Sequence, residues 1–228
     1  MVVNISMLDK TNYTVSEHLF QEAQKNIPDF GDSLTLNQTA GRFFKDPWII
    51  KDEFISTIWE EILDTIPESK GEARLIRLTP GEAYPSHADI DDRWHLNITG
   101  DNSYLIDLQE QQLHRVEQDQ TWWSMDAGRK HAAANLGSED RIQLVVRQLL
   151  PDTDIKDPKT IKITLKDVVA NRRYIFDDII SPWLNSAYKR GIIDDFQGED
   201  LKATMKIERD SIPELEQLIE QYFNIEIS

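Results

Sequence analysis

The sequence predicts a mainly β fold, an antiparallel barrel or sandwich with the jelly roll as the leading option. N-terminal helices flank it and a small α+β appendage follows. Three observations predict this. Between residues 73 and 149 the chain breaks into short runs of strand character separated by turn residues every several positions. Ahead of that stretch, apolar residues recur at helical spacing. After Leu150-Pro151 the texture changes again, from strand-like to a polar connection and then to mixed helix and strand.

In chain order, Val15, Leu19, Phe20 and Ala23 give an amphipathic helix over 15–27. Phe54, Ile55, Ile58, Trp59, Ile62 and Leu63 give a second over 51–66. ARLIRL (73–78) is extended and is followed by the turn signal Pro80-Gly81. RWHLNI (93–98) alternates, with Arg93, His95 and Asn97 on one face and Trp94, Leu96 and Ile98 on the other. SYLIDL, QLHRVE, TWWSM, HAAAN and RIQLVVRQL complete the strand series, with NLGSED reading as a hairpin turn between the last two. In the tail, residues 151–159 read as a linker, 160–165 as a strand, 166–190 as a helix interrupted near Ser181-Pro182, and 203–209 as a strand. Ser211 to Glu214 has the form of a capping box opening a last helix that turns Leu215, Leu218, Ile219 and Phe223 inward. The expected domains are therefore 1–150 and 151–228.

Composition narrows the function. Hydrophobic residues make up 39% and charged residues 29% of the 228, as in a soluble globular chain. With 41 acidic against 25 basic side chains the net charge is −16, which opposes binding to nucleic acid or to an anionic membrane. Cysteine is absent, so disulfides, zinc thiolates and cysteine-ligated clusters are excluded and any metal must be held by His, Asp, Glu or backbone oxygen. No apolar run approaches the roughly 18 residues of a membrane span. The expected location is cytoplasmic.

Among the five histidines, His87 and His131 stand in suggestive company. His87-Ala88-Asp89 follows a strand and a Pro-Gly turn, and in extended chain residues i and i+2 point the same way, so the imidazole and carboxylate can face one ion. His131 opens a later strand. Two imidazoles and a carboxylate occupy one face of an octahedron and leave positions for a chelating co-substrate and O2, the arrangement of non-heme Fe(II) oxygenases. Arg141, ten residues after His131, supplies a planar cation of the kind that anchors a distal carboxylate. Arg147 has the same parity and is the fallback cation. His18 and His114 read as structural.

RLTPGEAYPSHAD, RWHLNI and the pattern W-x-x-x-x-G-x-x-H-x-x-x-N-x-G-x-x-x-R from Trp123 to Arg141 resemble the aspartyl/asparaginyl β-hydroxylase branch of Fe(II)/2-oxoglutarate-dependent dioxygenases, which includes proline hydroxylases. The resemblance covers about 73–148. It implies a double-stranded β-helix of cupin-like form. It further implies that Arg93 and His95, an Arg-x-His pair, join Arg141 in contacting 2-oxoglutarate. Asp89 departs from the animal β-hydroxylases, which lack this carboxylate, and moves the chain toward the proline-hydroxylase side.

The resulting expectation is a dioxygenase that holds Fe(II) on His87, Asp89 and His131, uses 2-oxoglutarate and O2, and hydroxylates an amino-acid or peptidyl side chain with release of succinate and CO2. No catalytic side chain beyond the metal ligands is expected. The alternative is a metal-binding cupin-like protein with the same ligands and no 2-oxoglutarate chemistry.

Overall fold

The computed structural model describes residues 6–166, 175–199 and 202–228. The chain divides into two compact units. One comprises the residues up to Ser86 with Asp91–Leu149; the other comprises Leu150–Ser228 with the short segment His87–Ile90.

The first unit runs β1 (Leu8–Thr14), α1 (Glu17–Lys25), β2 (Ser33–Thr35), β3 (Asn37–Gln38), β4 (Ile49–Ile50), α2 (Ile58–Leu63) and β5 (Lys70–Leu78). There follow β6 (Ala83–His87), β7 (Arg93–Thr99), β8 (Ser103–Asp107), β9 (Gln112–Arg115), β10 (Thr121–Met125), β11 (His131–Asn135) and β12 (Arg141–Gln148). Two antiparallel sheets result. The larger has the order β1-β10-β7-β12-β5-β2 and the smaller β6-β11-β8-β9. From β5 to β12 the chain changes sheet at every step but the β8–β9 hairpin, so the eight strands wind as a jelly roll, a double-stranded β-helix.

Strand alternation sorts the residues of this unit into two cores. The outward face of the larger sheet carries Leu75, Trp94, Leu96, Ile98, Trp122, Ile142, Leu144 and Val146, packed with Phe20, Ala23, Trp59 and Ile62 of the helices. The second core draws on both sheets, with Leu78 and Met125 from the larger, Leu105 and Ala133 from the smaller, and Met7 and Leu8 from the N-terminal end. The face of β7 predicted to carry Arg93, His95 and Asn97 is therefore the one turned between the sheets, and all three are buried there.

Several local expectations change. The first helix is Glu17–Lys25, with Ser16 Oγ accepting from the Leu19 amide as N-cap. The single helix expected over 51–66 is instead a 3₁₀ turn at Asp52–Phe54 and the short α2. Ser56 takes φ = 58° and breaks the run. Thr57 then caps α2 through the Trp59 amide, and Ile55 stays exposed. The stretch 136–140 is not a hairpin turn, because β11 and β12 lie in different sheets and it carries the chain from one to the other. β1, which no periodicity announced, pairs with β10.

In the second unit β13 (Pro158–Leu165), β14 (Ile193–Glu199), β15 (Lys202–Glu208) and β16 (Phe223–Ile227) form one antiparallel sheet in the order β14-β15-β13-β16. Ile161, Ile163 and Leu165 alternate into its core with Ala203, Met205 and Ile207. A π-helical turn (Phe176–Ile180) leads into α3 (Ser181–Lys189), and α4 (Ile212–Ile219) precedes β16. The part of the predicted 166–190 helix at 167–174 lies outside the described residues. Ser211 makes no side-chain capping bond to α4, so the expected capping box does not form. Phe223 is buried from β16 and not from the helix. No described helix is long and apolar enough to cross a membrane.

Candidate metal centre

β6 and β11 are neighbours in the smaller sheet. Their pairing begins where the Gly81 amide donates to the Asn135 carbonyl and the Asn135 amide to the Glu82 carbonyl. Antiparallel register then brings the end of β6, His87, beside the start of β11, His131. Beyond β6 the chain is irregular, and Ala88 and Ile90 are buried. His87 and Asp89 alternate with them, so both side chains turn the other way and are only partly covered. One ligand-capable atom from each of His87, Asp89 and His131 lies within 4.8 Å of the others, and His87 Nε2 is 3.6 Å from an Asp89 carboxylate oxygen.

The donor set suits a divalent first-row ion. Bonds of about 2.1 Å at right angles place neighbouring donor atoms about 3 Å apart, close to the His87–Asp89 separation. Two imidazoles with one carboxylate match the preference of non-heme iron for mixed nitrogen and oxygen ligands. His131 is buried, and its Nδ1 lies 2.8 Å from the Arg129 carbonyl. A carbonyl only accepts, so Nδ1 carries the hydrogen and Nε2 is the nitrogen with a lone pair that could meet a metal.

Arg141 sits between the sheets, 2% exposed. Its Nε donates to Ser103 Oγ at 2.6 Å and its Nη2 to Gln143 Oε1 at 2.6 Å. Among the described residues no carboxylate pairs with it. Burial pushes the guanidinium down to about 9, which still leaves it cationic at neutral pH. Gly100 holds the β7–β8 turn against it. There φ is +94°, and a Cβ at that position would lie 2.8 Å from the Arg141 Cα.

His95 occupies the same interior. Its Nδ1 is 3.1 Å from Gln143 Oε1 and therefore donates, while Nε2 is buried with no hydrogen-bond partner. Burial is the main cause that lowers its pKa to about 3, against the Gln143 hydrogen bond, which raises it, and the nearby cations Arg141 and Arg93 lower it further. The imidazole is neutral, with an accepting Nε2. Arg93 is differently placed. Its Nη1 lies 2.5 Å from Asp91, itself 1% exposed, and Arg147 Nη1 reaches the other oxygen of Asp91 at 2.8 Å. Arg147 also pairs with Glu72. Both guanidiniums thus have anionic partners, and Arg147, the fallback cation, is neutralised where Arg141 is not.

No family model matches the chain, and no curated protein matches it. Similarity to solved structures is local. A cupin domain from Bordetella pertussis Tohama I aligns at 13% identity over 36% of this chain and 84% of that one, with a TM-score of 0.31. CapF, solved with the inhibitor 3-isopropenyl-tropolone, aligns at 16% identity over 36% of this chain and 25% of that one, TM-score 0.30. A conserved protein of unknown function from Streptococcus pyogenes aligns at 16% identity over 66% of this chain and 99% of that one, TM-score 0.35.

Two residues of the interior carry no motif and escape a sequence reading, Ser103 and Gln143. Ser103 Oγ accepts from both Arg141 Nε and Gln143 Nε2, so its own hydrogen is left to donate. Gln143 uses its carbonyl for Arg141 and His95 and its amide for Ser103. The available signal was parity. Gln143 is a polar residue two positions from Arg141, ahead of the apolar run Leu144–Val146, and Ser103 shares a face with Leu105 and Asp107.

Proposed function

We propose that the chain is an Fe(II)- and 2-oxoglutarate-dependent dioxygenase that hydroxylates the side chain of an amino acid or peptide. One observation carries the reading. A buried guanidinium with no carboxylate partner among the described residues shares the jelly-roll interior with His131, one member of a His-Asp-His cluster. An isolated buried charge is costly, and it is retained where a ligand of opposite charge completes it. A dicarboxylate that chelates the metal at one end and meets Arg141 at the other satisfies both features.

His87, Asp89 and His131 would hold the iron, and with 2-oxoglutarate and O2 it supplies hydroxylation, with succinate and CO2 as co-products. The protein's own part is placement. Arg141 and the Ser103 hydroxyl would bind the distal carboxylate, and Gln143 keeps both oriented. His95 offers a neutral acceptor, its buried Nε2, in the same interior. The apolar residues between the sheets keep water from the interior.

The test is binding before turnover. Protein loaded with Co(II) should bind 2-oxoglutarate in calorimetric titration. With Fe(II) and ascorbate it should form succinate slowly without substrate, and mass spectrometry of amino acids and peptides should find gain of one oxygen atom. Metal binding with no affinity for 2-oxoglutarate would overturn the reading in favour of a cupin-like metal protein without this chemistry.

A further inference from the structure

Asp107 ends β8 and stands directly opposite His131 in the β8–β11 register. It is 1% exposed, and the proposed chemistry gives it no role. One of its oxygens lies 2.8 Å from Arg129 Nη2. The other accepts the amides of Gln109 and Glu110 at 2.9 and 3.1 Å. Arg129 lies in the turn before β11, and its carbonyl accepts from His131 Nδ1. Next to it the Leu108 amide donates to the Lys130 carbonyl. A buried carboxylate therefore anchors the side chain of the residue whose carbonyl orients a metal ligand.

We propose that Asp107 is a positioning residue for His131, acting through Arg129. The ion pair fixes Arg129 in a turn that is not part of a strand. The fixed carbonyl then holds the imidazole with Nδ1 protonated and Nε2 toward the metal. A histidine ligand needs its second nitrogen held in this way, and loss of such a support weakens metal affinity by about 10–100-fold. The proposal rests on the metal-site reading above.

Two measurements separate the proposal from that reading. In metal-free protein, long-range nitrogen–proton NMR correlation should place His131 in the Nδ1–H tautomer. Asp107→Asn keeps an oxygen for the two amides but loses the charge, and it should give mixed tautomers. In Co(II) titration Asp107→Asn and Arg129→Met should each raise the dissociation constant about 10–100-fold, read at a temperature where circular dichroism shows the metal-free variant folded, since loss of either partner of a buried pair also lowers stability. Arg129→Lys should recover part of the loss. Wild-type tautomer and wild-type Co(II) affinity in both variants would overturn the proposal. Arg129→Met decides the matter if Asp107→Asn does not fold. Wild-type protein that binds no Co(II) would sink the metal site, while the tautomer measurement would still decide whether Asp107 positions His131.

Discussion

Arg141 on β12 and Ser103 on β8 meet across the interior, guanidinium Nε to hydroxyl at 2.6 Å, so that a bond to a buried cation joins the two sheets of the jelly roll. A structural cation would be expected to face a carboxylate. This one faces a hydroxyl and an amide, both neutral. Among the described residues its charge has no anionic partner.

The first prediction follows from that charge. Arg141→Met should leave Co(II) binding intact and weaken 2-oxoglutarate by about 100-fold or more, the equivalent of roughly 3 kcal/mol. The same change should stabilise the ligand-free protein by about 1–4 kcal/mol, because an apolar side chain replaces an uncompensated buried charge. Calorimetry reads the first effect and thermal unfolding the second. A variant that loses affinity and stability together would show that Arg141 is structural.

His95 sets a pH dependence. Its pKa falls from an ordinary 6.5 to about 3 on folding, mainly through burial. Above 6.5 the residue is neutral folded or unfolded and contributes no slope. Between 6.5 and 3 the unfolded chain takes up a proton that the folded chain refuses, so stability drops as pH falls, by up to about 1.4 kcal/mol per unit. His95→Leu should flatten that part of the curve. Urea unfolding at a series of pH values checks it, and an unchanged slope in the variant would rule it out.

The metal ligands differ in how they should fail. His131→Ala removes a buried imidazole and should abolish Co(II) binding. Asp89→Ala leaves two imidazoles and should retain weak binding, since two nitrogen donors suffice to hold a divalent ion loosely. Visible absorption of the Co(II) protein distinguishes the two outcomes. Equal binding in wild type and His131→Ala would remove the site.

The two adjacent tryptophans should separate cleanly. Trp122 is fully buried between the larger sheet and the helices, with its indole donating to Thr65 Oγ1 at 2.8 Å. Trp122→Ala should cost about 3–5 kcal/mol in denaturant unfolding. Trp123 faces the other way, is half-buried, and lies under the Lys10 ammonium. Trp123→Ala should cost clearly less.

Much of this was legible because strands alternate. The parity of RWHLNI assigns Arg93, His95 and Asn97 to one face without a structure, and the i, i+2 rule pairs His87 with Asp89. What alternation does not encode is partnership. Arg93 is held by the buried Asp91, and nothing in the spacing of Asp91 and Arg147 shows that they meet. Ser103 and Gln143 become neighbours only once β8 and β12 face each other from different sheets. Helix periodicity failed at 51–66 for a similar reason. The apolar stripe is real, but Ser56 takes a left-handed backbone that periodicity does not register.

Gly100 carries no functional group, yet its missing side chain is the space that the Arg141 backbone occupies. The turn and the cation therefore cannot drift independently as the sequence diverges. Alanine at 100 must displace the Arg141 backbone, and with it the guanidinium that Ser103 and Gln143 hold between the sheets. On the proposed reading of Arg141, the shortest route to a shorter or longer co-substrate is a single change in this turn. Variants selected for altered anion preference should accumulate there before they reach the metal.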